Sequence, residues 1–407
     1  MKGLLEGVRV LDITQMLAGP YGSMLLADMG AEVIKIESRE GDHTRLGTNI
    51  AQKGVSAYFL AINRNKKSVA IDLKSSEGRS VFYDLVKVSD VVLDNMRPKA
   101  LRKLQCGYDD LKLINPRIIS CSISGFGHTG PYQDLPAFDM TIQAISGGLS
   151  MTGEEDGEPA KMGLPIADEA AGLFAAFGIV SALHYRDRTG KGQELDISMM
   201  DCQLSLASYL ASFYFIGGVV PKAYGTRHPS VVPWGAFKTK DIWIAITSVT
   251  SKQWEGLCRV LEREDLITDD RFSTHPDRLK NYKELYAILR QEFLRKDGKE
   301  WLCLLEQENS PAAPVNTLDK ALENPHTTKR QMVVEIEHPR IGTFKSVGNP
   351  IKTSESETTY RCAPDLGEHT EDVLKNILGY PDKKITSLQD DRIIALWDGA
   401  DQGVERD

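Results

Sequence analysis

The sequence predicts an α/β protein with a parallel sheet, followed by a smaller α+β unit. Three observations carry this. The first 200 residues alternate short apolar runs with amphipathic stretches, the β-α-β rhythm of parallel strands joined by crossover helices. A Gly- and Pro-rich stretch, Gly217–Pro233, then interrupts the pattern. A chain of 407 residues has room for two or three domains.

The elements read in order as follows. Val8–Ile13 and Glu32–Glu37 are strands, with a helix over Pro20–Met29 between them, opened by proline and ended by Gly30. Val69–Leu73 is a third strand, followed by a helix over Ser75–Val88. Asp90–Asp94 and Ile118–Ser124 are further strands, with a helix near Pro98–Leu104 between them. The Ala-rich segment Glu169–His184 is a helix, Gln193–Ile197 a strand and Met200–Ile216 a long apolar helix. Beyond the break, Trp234–Thr247 reads as a hairpin and Lys252–Leu261, Leu279–Arg295 and Gly298–Asn309 as helices. Short strands over 331–352 and a helix over Thr370–Leu378 close the pattern.

Composition excludes several classes. Net charge is −8 with no long Lys/Arg run, which argues against a nucleic-acid partner. Residues 1–120 are nonetheless net positive, with 18 Lys/Arg against 14 Asp/Glu, suited to a small polyanion or simply to a solvated surface. The six cysteines are scattered without C-x-x-C pairs, and the eight histidines form no H-E-x-x-H, so neither a disulfide framework nor a metal site is expected. The first residues lack the apolar run of a signal peptide, and no membrane span of about 18 apolar residues is expected. A reducing, cytoplasmic location follows as the expectation.

Gly125, Gly127 and Gly130 spell G-x-G-x-x-G after a strand. A dinucleotide site would need a helix starting at the last glycine, and Pro136 interrupts any such helix. The glycines therefore read as a turn-rich loop.

Asp168 opens the Ala-rich helix in Gly163-Leu164-Pro165-Ile166-Ala167-Asp168-Glu169. By physics alone it is a first-turn carboxylate, favoured by the helix dipole and expected to be ionised.

Many segments in order resemble the class III CoA-transferases, the family of formyl-CoA:oxalate and carnitine-related transferases and of α-methylacyl-CoA racemases. They include Leu17-Ala18-Gly19-Pro20, Leu26–Glu37, Gly41–Arg45, Asn63–Ser68, Asp72-Leu73-Lys74, Asn95-Met96-Arg97-Pro98, Ser124–Gly127 with Gly130-Pro131, Thr189–Gln193 and Leu366–Thr370. The resemblance implies a Rossmann-like large domain from residues 1–216 and 331–407, with 217–330 as linker and inserted small α+β domain. It also implies an interlocked homodimer, and coenzyme A thioesters as substrates with no permanently bound cofactor.

The same resemblance makes Asp168 the nucleophile, forming an aspartyl mixed anhydride and then an enzyme–CoA thioester. It places Met16, Arg39, Lys74, Asn95, Arg97, Lys103 and Met199 at coenzyme contacts. Gln15, Phe138, Gly147, Gly148, Arg227 and His228 fall in the substrate pocket, with the glycine N–H groups as oxyanion donors. The racemases carry a histidine in a Gly-His-Asp element. Here the element is Ala137-Phe138-Asp139, and Phe138 cannot move a proton, which favours transfer over racemisation. The oxalate-type glycine loop corresponds to Thr247–Gln253, which has no glycine run, so the formyl/oxalyl alternative is disfavoured. Arg227 would pair with a second carboxylate, pointing to a donor such as succinyl-CoA and a short dicarboxylic acceptor.

Overall fold

In the computed structural model, which describes residues 3–46 and 50–397, the chain divides into two compact units. One comprises residues 1–148, 162–219 and 329–407; the other comprises 149–161 and 220–328. The second unit thus takes in a stretch, 149–161, that lies well before the break at 217–233.

The large unit is built on a seven-stranded sheet in the order Ile394–Ala395, Lys66–Ile71, Glu32–Glu37, Arg9–Asp12, Val91–Asp94, Ile119–Ser124, Gln193–Ser198. All pairings are parallel except the C-terminal edge strand, where Ile394 runs antiparallel opposite Ile71. Chain order reverses between Arg9–Asp12 and Val91–Asp94, which makes that strand pair the topological switch point, where open α/β sheets bind ligands at their carboxyl edge.

The inner strands are buried on both faces, and Val91–Leu93 is accordingly apolar throughout, whereas other strands carry buried polar residues such as Lys35, Lys66 and Ser122 and the edge strand Gln193–Ser198 stays partly exposed. Val10, Val33, Val91 and Leu93 face the helices Ala18–Asp28 and Ile166–Thr189. Leu11, Ile34, Val69 and Val92 face the layer that includes Ser76–Lys87 and the C-terminal residues 373–394. The strand positions read from sequence hold to within a few residues. The helix Ala57–Asn63, the helix Asp382–Asp390 and the edge strand Ile394–Ala395 went unread, being short or polar. The long helix at Met199–Gly217 is broken at Ser208, and the predicted 279–295 helix is two, His275–Lys280 and Tyr282–Phe293.

The expectation of no apolar 18-residue stretch needs correction. Helix Ile166–Thr189 is long and apolar enough to cross a membrane by composition, with mean hydropathy 1.6 over one window. Half of that window is buried within the chain, as in the core helix of a folded domain. It crosses Ala18–Asp28 at two glycines. A Cβ on Gly22 would sit 2.8 Å from the Gly172 carbonyl oxygen, and one on Gly172 would sit 2.5 Å from the Ala18 carbonyl oxygen.

In the small unit, Trp234–Lys238, Trp243–Thr247 and Ala312–Pro314 form an antiparallel sheet packed by Phe237, Trp254, Phe272, Phe293 and Trp301.

Candidate active site

Nearly every residue singled out in the first 130 positions lies just past the carboxyl end of a parallel strand. Gln15 and Met16 follow Arg9–Asp12; Arg39 follows Glu32–Glu37; Lys74 follows Lys66–Ile71; Asn95 and Arg97 follow Val91–Asp94. Across the switch point, Gln15 and Asn95 interlock. The Gln15 N–H donates to Asn95 Oδ1 at 2.9 Å, and Asn95 Nδ2 donates to the Gln15 carbonyl at 2.6 Å. Met16 has φ +67°, an uncommon conformation for a non-glycine residue, and its N–H points at Asp42 Oδ1 at 3.4 Å. Arg39, Lys74, Arg97 and Lys103 are exposed, with Lys103 in the last turn of the helix Pro98–Leu104. Met199 departs from the pattern. It is 6% exposed and packs in the core.

Beneath these loops lies a buried ionic lattice that the sequence reading did not single out. Lys66 Nζ bridges Asp12 Oδ2 at 3.0 Å, Asn63 Oδ1 at 2.8 Å and the Pro20 carbonyl at 3.0 Å. Lys35 Nζ meets Asp42 Oδ2 at 2.9 Å and the Thr14 carbonyl at 2.8 Å. Both lysine side chains are fully buried. Arg45 grips Glu37 through two nitrogens, at 2.7 and 2.8 Å. Burial alone would raise the Asp12 carboxyl, but Lys66 and Lys35 hold it far below the usual carboxylate range. Burial pulls Lys66 down to about 8 against the attraction of Asp12. The lattice ties the loop after the first strand to the loop after the second, and so fixes Gln15 and Met16. Lys35, Glu37, Asp42, Arg45, Asn63 and Lys66 fall inside the Leu26–Glu37, Gly41–Arg45 and Asn63–Ser68 motifs, and in this structure they act as scaffolding.

Asp168 sits in the first turn of Ile166–Thr189, half-buried, with Glu169 beside it. Asp139, 8% exposed, caps the same helix: its Oδ1 accepts from the Ala167 N–H at 3.0 Å and its Oδ2 from Gln143 Nε2 at 2.7 Å. Sequence physics expected the helix terminus to keep Asp168 ionised by lowering its pKa. The structure reverses this. Burial, then the charges of Asp139 and Glu169, push Asp168 up to about 7. Glu169 is raised by the same two causes, burial and Asp139. Tyr58 faces this acidic group too, its phenol raised by burial and then by Asp168, Asp42 and Glu169. Neither Asp139 nor Tyr58 was selected from sequence, because a helix cap and an aromatic in a short helix carry no signature of a site.

Phe138 precedes Asp139 and is 67% exposed. Gly147 and Gly148 follow the helix Asp139–Ile145; the Gly147 N–H turns back to the Ala144 carbonyl at 3.4 Å, and a Cβ on Gly148 would collide with Gln203. Gly148 is thus required for its small size and Gly147 for its φ of +86°.

Arg227 and His228 belong to the small unit. Arg227 is already engaged within its unit. Its guanidinium lies 4.1 Å from the Tyr282 ring centroid and 4.9 Å from that of Tyr224, and reaches Glu155 at 3.4 Å. Its side chain is 9% exposed. Tyr282 donates to the same Glu155 at 2.9 Å. The cluster pins segment 149–161 to the rest of its unit, and spacing in sequence could not reveal a partner 72 residues away. His228 accepts the Ser230 N–H on Nδ1 at 3.1 Å, with desolvation lowering its pKa. The Thr247–Gln253 segment is not a glycine loop in three dimensions either: Gln253 Oε1 accepts the N–H groups of Val249 and Thr250, closing a helix cap.

The G-x-G-x-x-G segment runs as loop from the strand Ile119–Ser124 to Asp139, with no helix at Gly130. Among the described residues, no group of three or more His, Cys, Asp or Glu side chains is placed to hold a metal ion.

The sequence profile described as CoA-transferase family III matches residues 5–370. Human succinyl-CoA:glutarate CoA-transferase is 37% identical over 94% of this chain and 88% of its own length. Succinyl-CoA:mesaconate CoA-transferase of Haloarcula marismortui is 37% identical over 91% and 96%. A crystal structure of a CAIB/BAIF family protein from Brucella suis superposes with a TM-score of 0.84 at 35% identity, covering 93% of this chain and all of that one.

Proposed function

Because the chain belongs to CoA-transferase family III, we propose that it moves coenzyme A from a donor thioester such as succinyl-CoA to a short dicarboxylic acid, with Asp168 as the nucleophile. The observation that carries this reading is the Asp168 carboxyl itself: in a helix's first turn, half-buried and raised to about 7. Once ionised, such a group is poorly solvated and reactive. It attacks the thioester carbonyl, giving the aspartyl mixed anhydride and CoA thiolate. The thiolate attacks the aspartyl carbonyl, releasing the first acid and leaving the Asp168–CoA thioester. The acceptor carboxylate and the thiolate then repeat the two steps in reverse.

On this reading, Gln15, Met16 and Asn95 frame the coenzyme at the switch point. Exposed Arg39, Lys74, Arg97 and Lys103 supply its phosphates with charge. Tyr58 and Phe138 line the acyl end. A racemase reading lacks support because Phe138 brings no acid or base. The dicarboxylate class rests on the glutarate and mesaconate relatives and no longer on Arg227, whose charge Glu155 already occupies. The capped Thr247–Gln253 turn supports this class over a formyl/oxalyl one.

The partner is a second copy of the chain, interlocked with the first. Support comes from a wide apolar face on helices Ile166–Thr189 and Met199–Gly217, where Phe177, Phe215 and Ile216 are 70%, 79% and 88% exposed. Six free cysteines, four of them buried, fit a cytoplasmic setting, and no permanent cofactor takes part.

Mass spectrometry of the protein incubated with succinyl-CoA and a panel of carboxylic acids tests the reading. New CoA esters of dicarboxylic acids are expected, together with hydroxylamine-trapped Asp168. Transfer that survives in Asp168→Ala refutes it.

A further inference from the structure

Beside the switch point, four side chains form a line from the core to the surface. Asp94, fully buried at the end of its strand, accepts the Ser122 hydroxyl on Oδ1 at 3.0 Å. The same oxygen accepts the Met96 N–H at 3.0 Å. Ser122 Oγ lies 3.0 Å from His128 Nε2, and His128 Nδ1 lies 3.4 Å from the exposed Glu194 carboxylate. Asp94 Oδ2 is buried with no hydrogen-bond partner among the described residues. No step of the proposed transfer uses any of these groups.

We propose that Ser122 and His128 form a proton exit for buried Asp94, and are positioning residues that set coenzyme affinity through the charge on Asp94. The transfer balances. With Asp94 protonated, its Oδ1–H donates to Ser122, whose hydroxyl donates to His128 Nε2, while His128 Nδ1–H faces Glu194. The Asp94 proton moves to Ser122 Oγ as the Ser122 proton moves to Nε2. The imidazolium that results donates from both nitrogens and releases one proton to water.

Ionised Asp94 then holds the Met96 N–H by a charge-assisted bond, stronger than one to a neutral carboxyl. That bond flanks Asn95, which is locked to Gln15 across the switch point. The consequence for coenzyme rests on the reading that coenzyme binds at this edge. Burial raises Asp94 to about 7, with Glu194 adding to the rise and Met96 and Ser122 opposing it. Cys106 and Cys121 also face Asp94, and burial keeps both thiols protonated. Around His128, Asp196 accepts its backbone N–H at 2.8 Å. Lys112, paired with Asp109, faces Glu194.

Two readouts separate the relay from its consequence. In ligand-free protein, the Asp94 carboxyl carbon is followed by NMR against pH with carbon-labelled aspartate. Its midpoint moves upward in Ser122→Ala and shifts in His128→Gln; superimposable curves overturn the relay, whether or not the protein transfers CoA. In turnover, KM for succinyl-CoA falls about five-fold or more as pH rises through 7, the lower end of coupling between linked sites. Asp94→Asn flattens that profile at the weak-binding value, Ser122→Ala moves its midpoint upward, and Ser122→Thr restores it, while the pH dependence of kcat stays in place. A KM profile identical in wild type and Asp94→Asn overturns the positioning role. If wild type transfers no CoA, the proposed function fails and the NMR curves still decide the relay.

Discussion

The large unit treats two sets of buried carboxylates in opposite ways. Asp12, Asp42 and Glu37 each face a cationic side chain and lie below their ordinary pKa values. Asp168 and Glu169, with Asp139 against them, have no cation among the causes that set their charge, and both are raised. Paired acids are locked in one protonation state and hold loops in place. Unpaired acids store electrostatic tension, and on the proposed reading that tension makes Asp168 a good nucleophile.

Four experiments bear on this contrast. The largest effect is expected for Asp168→Asn, which removes the proposed nucleophile and lowers kcat on the order of 10³-fold or more. The same variant gains stability. A carboxyl raised from 3.8 to about 7 binds more protons folded than unfolded between those values, so it costs stability as pH rises from 4 to 7. Asp168→Asn is therefore more stable than wild type at pH 8, on the order of 1–2 kcal/mol after allowing for its partial solvent access, and equal to it near pH 4. Denaturant titrations at the two pH values measure the difference. A destabilised Asp168→Asn at pH 8 removes the idea of stored tension.

Lys66→Met does the opposite, leaving Asp12 buried and less compensated. Unfolding free energy drops by about 3–5 kcal/mol, read by urea titration at pH 7. A neutral result means the lattice does not hold the loops. Asp139→Asn keeps the helix cap but deletes a like charge, so the ascending limb of kcat against pH moves down by about half to one unit. A limb that stays in place removes Asp139 from the causes acting on Asp168. The smallest effect is expected in the small unit, where Arg227→Ala lowers the melting temperature by a few degrees, about 1 kcal/mol from a lost cation–π stack, and leaves KM for the acceptor acid unchanged. A strongly raised KM restores Arg227 as a substrate contact.

How much of this could be read from sequence follows from its physical range. Parallel strands announce themselves locally, since burial on both faces makes runs such as Val91–Leu93 apolar throughout. Position past a strand end is equally local, which is why Gln15, Met16, Lys74 and Asn95 fall along one edge. Ion pairing is not local. Lys35 and Lys66 look like surface lysines within apolar strands until Asp42 and Asp12 are placed beside them. The pKa of Asp168 was misjudged for the same reason: the helix terminus is visible from the chain, whereas Asp139, 29 positions earlier, enters only through the fold. The pairing of Arg227 could not be read for the same reason, since its partner Glu155 lies 72 residues before it.

The crossing of Gly22 and Gly172 sets limits on how this protein can change. At most helix contacts an added methyl is absorbed by neighbouring side chains. Here backbone meets backbone, and a methyl can be admitted only by translating one helix against the other. Asp168 stands one turn from Gly172, and the loop carrying Gln15 and Met16 leads directly into the helix that holds Gly22. A shift of about 1 Å between reacting groups can cost on the order of a hundred-fold in rate. On the proposed function, substrate preference can therefore drift through Phe138 or Tyr58 at little structural expense, whereas the two glycines act as a fixed gauge between Asp168 and the thioester it would attack. A mutational library that varies the lining and spares the gauge retains turnover; one that samples alanine at either glycine loses rate before it loses the fold.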